Sequence, residues 1–324
     1  MKRFSLDHLV RWRDKPNRKP LVIRGARQVG KTRLVRIFAD GFFNNLVELN
    51  FDANPEKASL FRSSDVQEII KILEIDLHVS IRPGSTLLFL DEIQAVPELL
   101  GKLRYFHEKM PALHVICAGS LLDFAVAEPS FSVPLGRIEF MHLGPMSFSE
   151  YLLAMDRSLL LGYLQDFRMG DTIPQSIHDQ LQQCIREFMI VGGMPGVLKT
   201  YIDSGKEFSL AVEEQHNIIQ TYYLDFAKYQ SRVDVLFLQR IFNRIPSQVG
   251  QLLKYVSLDR GSKALKVREN LELLQKARLI YRVSHSDGNG LPLAAESDGS
   301  TFKLLFLDIG LRSEERRVGK ECRY

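Results

Sequence analysis

The sequence predicts an α/β protein: a parallel sheet with crossover helices, then a helical subdomain, then a C-terminal winged helix-turn-helix. Three observations predict it. Residues 21 to 145 alternate short apolar runs with amphipathic segments, the pattern of parallel strands joined by helices. Residues 147 to 231 carry leucine- and glutamine-rich helical patterns without a clear strand. From Val235, helical segments are followed by an apolar strand and a turn sequence.

The elements follow in order. Leu21-Val22-Ile23-Arg24 is the first strand, and a glycine-bearing turn leads into a helix from about Lys31 to Ala39 with Leu34, Val35 and Phe38 on one face. Leu46 to Phe51 reads as the second strand. Asp65 to Ser80 fits a helix, because Val66, Ile69, Ile70, Leu73 and Leu77 recur at helical spacing. Pro83-Gly84 turns the chain into Thr86 to Leu90, a continuous apolar run suited to a central strand buried on both faces. Pro97 opens a helix to about Lys109, His114 to Ala118 is a fourth strand, and Arg137 to His142 is a candidate fifth. Gly192-Gly193-Met194-Pro195-Gly196 breaks the helical region. Helical segments around 235–256 and 263–278 precede the strand Leu279 to Val283 and a turn at Asp287-Gly288-Asn289-Gly290.

Composition narrows the function classes. The net charge of +4 is too weak to imply nucleic-acid binding by itself. No apolar run approaches the length of a membrane span, and the N-terminus lacks a signal-peptide core, so the expectation is a cytoplasmic protein with no membrane partner. Cys117, Cys184 and Cys322 are widely separated, and no histidine or cysteine pair has metal-ligand spacing. The string from Arg312 to Arg323 resembles the conceptual translation of a sequencing-library adapter. The expectation is that the natural sequence is interrupted after Leu311; the other reading is a natural, charged terminus.

Two motifs carry chemistry. Gly25-Ala26-Arg27-Gln28-Val29-Gly30-Lys31-Thr32 matches the P-loop pattern G-x-x-x-x-G-K-[ST], between a strand and a helix. Glycines let the backbone curl so that its N–H groups face phosphate oxygens, and the helix N-terminus adds partial positive charge. Lys31 is suited to the β- and γ-phosphates, the Thr32 hydroxyl to magnesium, and Arg33 completes the candidate nucleotide-binding segment. The second motif is Thr86-Leu87-Leu88-Phe89-Leu90-Asp91-Glu92, an apolar strand ending in two acids. Asp91 falls at the carboxyl edge of the sheet, where it is suited to hold magnesium through water. Glu92 beside it is suited to orient or deprotonate the water attacking the γ-phosphate. The implied ligands are ATP and Mg2+.

Other residues leave alternatives open. Ser120, at the end of the fourth strand, is a candidate γ-phosphate sensor or simply a cap on the next helix. Arg137 is a candidate arginine finger toward a neighbouring subunit, which would require a homo-oligomer, or a structural ion pair. Trp12 and Arg18 precede the first strand and are candidates to approach the adenine, with packing favoured for Trp12. Lys263, Lys266, Arg268, Lys276, Arg278 and Arg282 surround the second C-terminal helix. They are either phosphate contacts of a DNA-binding surface or a solvated face with Glu269 and Glu272 interleaved; winged helices also bind protein partners.

Several stretches together resemble a large family of prokaryotic AAA-type ATPases: Arg18 to Thr32, Phe89-Leu90-Asp91-Glu92-Ile93-Gln94, Ala118-Gly119-Ser120-Leu121-Leu122, Gly136-Arg137, Pro145-Met146-Ser147-Phe148, Gly192-Gly193-Met194-Pro195, and Leu273 to Ile280. The resemblance implies a RecA-like P-loop NTPase core, a helical lid, a winged helix, and a C-terminal domain similar to PD-(D/E)xK nucleases. Phe302 to Leu311 resembles that domain's entry; its later acidic and lysine positions do not appear. The expected organisation is therefore an ATPase core at 1–146, a helical lid at 147–231, a winged helix at 232–290, the start of a truncated domain at 291–311, and a non-native tail at 312–324. The leading functional expectation is an ATP-driven switch or motor. A small-molecule kinase and a nucleotide-gated DNA- or protein-binding regulator with negligible turnover are the competing readings.

Overall fold

The computed structural model describes residues 1–120, 136–227, 234–259, 261–286 and 297–312. The chain divides into two compact units, Arg3–Gly144 and Pro145 onward, the latter grouped with Met1–Lys2.

The first unit is an α/β layer structure. Helix α1 (Ser5–Arg13) precedes β1 (Leu21–Arg24), and α2 (Lys31–Phe42) and β2 (Asn45–Asn50) follow. A 3-10 turn (Pro55–Phe61) leads to α3 (Val66–Leu77), which is capped by the Asp65 side chain accepting from the Gln67 amide. Then come β3 (Thr86–Asp91), a 3-10 turn (Ile93–Ala95), α4 (Leu99–Lys109), β4 (His114–Gly119) and β5 (Glu139–His142). The five strands form one parallel sheet in the order β2-β3-β4-β1-β5. All six positions of β3 and of β4 are buried, which is why both read as unbroken apolar runs rather than alternating ones. Val22, Leu88, Leu90, Val115 and Cys117 join one core with Ile69, Leu73, Leu99, Leu103 and Phe106 of α3 and α4. The intervening Ile23, Phe89 and Ile116 are equally buried and, with a strand period of two, face the other side. Leu34, Val35 and Phe38 of α2 are buried as its apolar stripe predicts.

The second unit opens with α5 (Phe148–Ala154), whose start is fixed by a reciprocal cap. The Ser147 hydroxyl accepts from the Glu150 amide and the Glu150 carboxylate accepts from the Ser147 amide. Helices α6 (Ser158–Asp166), α7 (Gln175–Val191), α8 (Pro195–Asp203) and α9 (Phe208–Ala227) follow. The break between α7 and α8 lies at Gly192, where φ is +78°, a conformation that glycine adopts without strain. The last elements are α10 (Val235–Gln248), β6 (Leu253–Lys254), α11 (Tyr255–Leu258), α12 (Ala264–Lys276), β7 (Ile280–Ser286) and β8 (Ser297–Phe306). The three strands pair antiparallel in the order β6-β8-β7.

Two sequence expectations change here. The helix expected over 235–256 is two helices separated by the short strand β6, because β6 pairs Leu253 with Phe302. The domain start expected at 291–311 does not separate from what precedes it: β8 is the central strand of the C-terminal sheet, paired to β7 from Ile280↔Phe306 through Ser286↔Ser297. Such pairing joins segments distant in sequence and has no local signature. The expected turn at 287–290 and the adapter-like tail beyond Arg312 lie outside the described residues.

Candidate functional site

Strand order brings the sequence motifs to one edge. β4 lies between β1 and β3. The P-loop leaves the carboxyl end of β1, Ser120 follows β4, and Asp91 with Glu92 ends β3, so all three signals gather at the carboxyl edge of adjacent parallel strands.

The P-loop rests on the exit of β5. The Leu143 amide donates to Arg24 O at 2.8 Å, and a Cβ added at Gly25 would lie 2.2 Å from Leu143 O. Only glycine permits that approach. Ala26 and Val29 are buried beneath the loop, while Gln28 and Gly30 take φ of +65° and +92° to complete its curl. Lys31 begins α2 and is itself buried, with Nζ donating to Gly25 O at 3.1 Å and Ala26 O at 2.8 Å. An ammonium turned into a hollow of loop carbonyls is placed to exchange them for phosphate oxygens. Arg33 is exposed on α2, one residue past the loop's hydroxyl.

Thr32 Oγ1 donates to Asp91 Oδ2 at 2.8 Å, and the Glu92 amide donates to Asp91 Oδ1 at 3.0 Å. Asp91 is 2% exposed. Burial pushes its carboxyl above the usual range, with the Glu92 charge adding to the rise; the Thr32 and Glu92 hydrogen bonds oppose it. A hydroxyl and a carboxylate this close form an all-oxygen pair suited to a hard divalent cation such as magnesium. Glu92 sits in the left-handed region at φ +54°, a conformation that costs a non-glycine residue on the order of 1 kcal/mol. The Gln94 side-chain amide donates to its carboxylate. Gln94 is a site residue whose position the sequence shows but whose contact it does not. Ser120 is 0% exposed, and its Oγ has no hydrogen-bond partner among the described residues.

Arg137, Trp12 and Arg18 are not part of this cluster. In the sheet register Glu139 is opposite Leu21, so Arg137 precedes β5 at the amino edge, away from the P-loop, and pairs with Glu108 at 3.0 Å. Trp12 also belongs to the amino edge: its Nε1 donates to Lys19 O at 2.9 Å, and its ring packs edge-on to His114. Arg18 donates to the carbonyls of Arg13 and Pro111. Neither side chain is placed to approach an adenine beside the P-loop, because their contacts with Lys19 and Pro111 hold them at the amino end of the sheet, and the loop leaves the other end of β1. Among the described residues no group of three or more His, Cys, Asp or Glu side chains is placed to hold a metal, and no helix is long and apolar enough to cross a membrane.

Residues 17–152 match the family model of an AAA domain. The first unit has the fold of a P-loop NTPase and over this stretch is similar to AAA domains. Residues 182–321 match a domain of unknown function (DUF8612). The fold is similar to that of the Walker-type ATPase of Pyrococcus abyssi, with a TM-score of 0.55 at 16% identity over 97% of this chain and 95% of that one. The ORC2 protein of Aeropyrum pernix, solved in ADPNP-ADP complexes, aligns with a TM-score of 0.42 at 15% identity over 97% of this chain and 92% of that one. Comparison with curated proteins gave no match.

Proposed function

We propose that the AAA unit binds Mg-ATP at the P-loop and hydrolyses it, and that the second unit uses the resulting change as a switch or motor. The observation that carries this reading is the 2.8 Å contact between Thr32 and Asp91, the residues next in sequence to Lys31 and Glu92. Lys31 gives up the Gly25 and Ala26 carbonyls for β- and γ-phosphate oxygens. Thr32 and Asp91 would hold magnesium, which supplies neutralising charge on the phosphates. Glu92, held by Gln94, accepts a proton from the water whose oxygen bonds to the γ-phosphorus, as the bond from that phosphorus to the ADP oxygen breaks. Ser120 supplies its hydroxyl to the γ-phosphate or the water from the strand between the two motifs.

Phosphate release from Mg-ATP, measured beside Glu92→Gln and Lys31→Ala, tests the reading. Glu92→Gln is expected to keep nucleotide affinity and lose turnover by 10²-fold or more, roughly the range of a general base. Lys31→Ala is expected to lose affinity. An Mg-ATP affinity unchanged in Lys31→Ala would rule out the site.

A second reading is favoured by the C-terminal topology. The order α10-β6-α11-α12-β7-β8 with sheet order β6-β8-β7 supports a winged helix, with Lys263, Lys266 and Lys276 along or beside α12. In that reading the protein is a nucleotide-gated regulator of DNA or a protein partner. Within the unit Lys266 already pairs with Asp234 and Arg268 with Glu272, which reduces the charge offered to DNA. ATP binding without phosphate release, together with steeply salt-dependent DNA binding, would select it.

A further inference from the structure

We infer that Arg3 is a positioning residue of the phosphate site, an inference that rests on the Mg-ATP reading above. Its guanidinium spans two backbone carbonyls remote in sequence. Nη1 donates to Val29 O at 3.0 Å and Nη2 donates to Gly144 O at 2.7 Å. Val29 is the last residue before Gly30 of the P-loop, and Gly144 follows the segment on which the loop rests.

The consequence follows from peptide geometry. A trans peptide is planar, and its C=O and N–H point in opposite directions. Holding Val29 O toward Arg3 therefore turns the Gly30 N–H the other way, away from Arg3. The neighbouring Gln28 and Gly30 are both at positive φ, +65° and +92°, so this peptide lies within the tightest part of the loop's curl. The opposite side of the loop is fixed independently, by the Leu143–Arg24 hydrogen bond and the close approach of Gly25 to Leu143 O. Arg3 thus clamps the part of the loop that the β5 exit does not reach. It ties that part to the same 143–144 segment through a planar fork matched to two acceptors.

Both of these hydrogen bonds end on backbone carbonyls, so the effect of Arg3 runs through the loop. Loss of the clamp should weaken diphosphate binding while leaving the reacting groups Lys31, Asp91 and Glu92 in place. Lysine carries the charge but is a single ammonium head without the guanidinium's fixed fork, so Arg3→Lys should recover only part of the loss.

The test is calorimetric titration of the full chain with Mg-ADP and with adenosine, for wild type, Arg3→Ala, Arg3→Lys and the neighbouring control Lys2→Ala. Steady-state phosphate release and the nucleotide-free melting temperature are measured alongside. The expected result is an Mg-ADP Kd raised about tenfold in Arg3→Ala and less in Arg3→Lys, equivalent to about 1.4 kcal/mol. Adenosine binding and kcat at saturating ATP should stay within about threefold, and Lys2→Ala should match wild type. Equal Mg-ADP affinity in all four proteins overturns the inference. So does a loss of affinity in Arg3→Ala that appears equally with adenosine or only with a collapse of the nucleotide-free melting temperature. Failure of wild type itself to bind Mg-ADP would instead overturn the ATP reading on which the inference rests.

Discussion

The Gly193 amide donates to Asp308 Oδ2 at 2.7 Å, across 115 positions of sequence. Asp308 is 5% exposed, and its other oxygen accepts from the Gly310 and Leu311 amides at 2.9 and 3.1 Å. Burial pushes this carboxyl above the usual range, and the three amides pull against that rise. The glycines are required by the fit: a Cβ at Gly192 would lie 2.1 Å from Asp308 Oδ1, and one at Gly310 would lie 2.5 Å from Val191 O. The helix break and the segment from Phe302 to Leu311, met separately in the sequence, are therefore two halves of one junction. Asp308, expected at the entry of a nuclease-like domain, has both oxygens engaged by backbone amides.

That junction predicts a stability phenotype. Asp308→Ala strands three buried N–H groups and should destabilise the second unit by roughly 2–4 kcal/mol, since each orphaned donor costs about 1 kcal/mol or more. Hydrogen exchange read at the Gly193, Gly310 and Leu311 amides checks it. Protection at those amides equal to wild type would show that the carboxylate does not hold them.

Ser120 gives the opposite prediction for stability. Its hydroxyl is buried with no partner among the described residues, so Ser120→Ala removes a desolvated group without breaking a bond. The expected change in unfolding free energy is within about 1 kcal/mol of zero, or slightly stabilising. If the hydroxyl meets the γ-phosphate or the attacking water, turnover in Ser120→Ala falls at least tenfold with Mg-ADP affinity intact. Unchanged turnover would return Ser120 to the capping role that the sequence left open.

His114 provides a pH dependence outside the nucleotide site. Its ring is enclosed by Trp12 and Phe43, and burial, with the Arg18 charge adding, pushes its pKa from 6.5 down to about 4. Arg13 and Asp14 are the other charged groups that act on it, with smaller and opposing effects. The folded imidazole stays neutral where the unfolded one takes a proton. The His114 contribution to stability is therefore fully present above pH 6.5 and is lost as pH falls toward 4. Melting temperatures at pH 7 and pH 5 should differ less in His114→Leu than in wild type; an identical difference would remove His114 as the source.

The legible parts of this protein were those written in consecutive residues. The Gly25–Thr32 loop and the Thr86–Glu92 strand each carry both their chemistry and their local structure in one short segment, and the strand order brings them together at the carboxyl edge. Arg3 was not legible, because what matters about it is two carbonyls at positions 29 and 144. Strand β8 was assigned to a separate domain for the same reason: an antiparallel register with β7 and β6 is a long-range fact. Trp12 and Arg18 precede β1 in sequence and so looked close to its loop, whereas the direction of β1 places them at the opposite end.

Arg137 is where sequence and geometry leave two roles that one pair of variants separates. Its ion pair with Glu108 is half-exposed on both sides, at 54% and 44%, and such pairs contribute 0–1 kcal/mol. If the pair is all that Arg137 does, Arg137→Ala and Glu108→Gln should each shift stability by less than about 1 kcal/mol and leave turnover alike. If Arg137 reaches the γ-phosphate of a neighbouring copy, the variants diverge. Glu108→Gln retains turnover or raises it by releasing the guanidinium, and Arg137→Ala loses it by about 10³-fold, the scale of an arginine finger. Mixing Arg137→Ala with Glu92→Gln then adds a decisive measurement. Each protein lacks a different half of a shared site, so mixed assemblies contain some interfaces with both Glu92 and Arg137 intact, and turnover rises above that of either variant alone. No recovery on mixing, in a sample shown by sedimentation to contain mixed oligomers, would leave Arg137 as a surface ion pair.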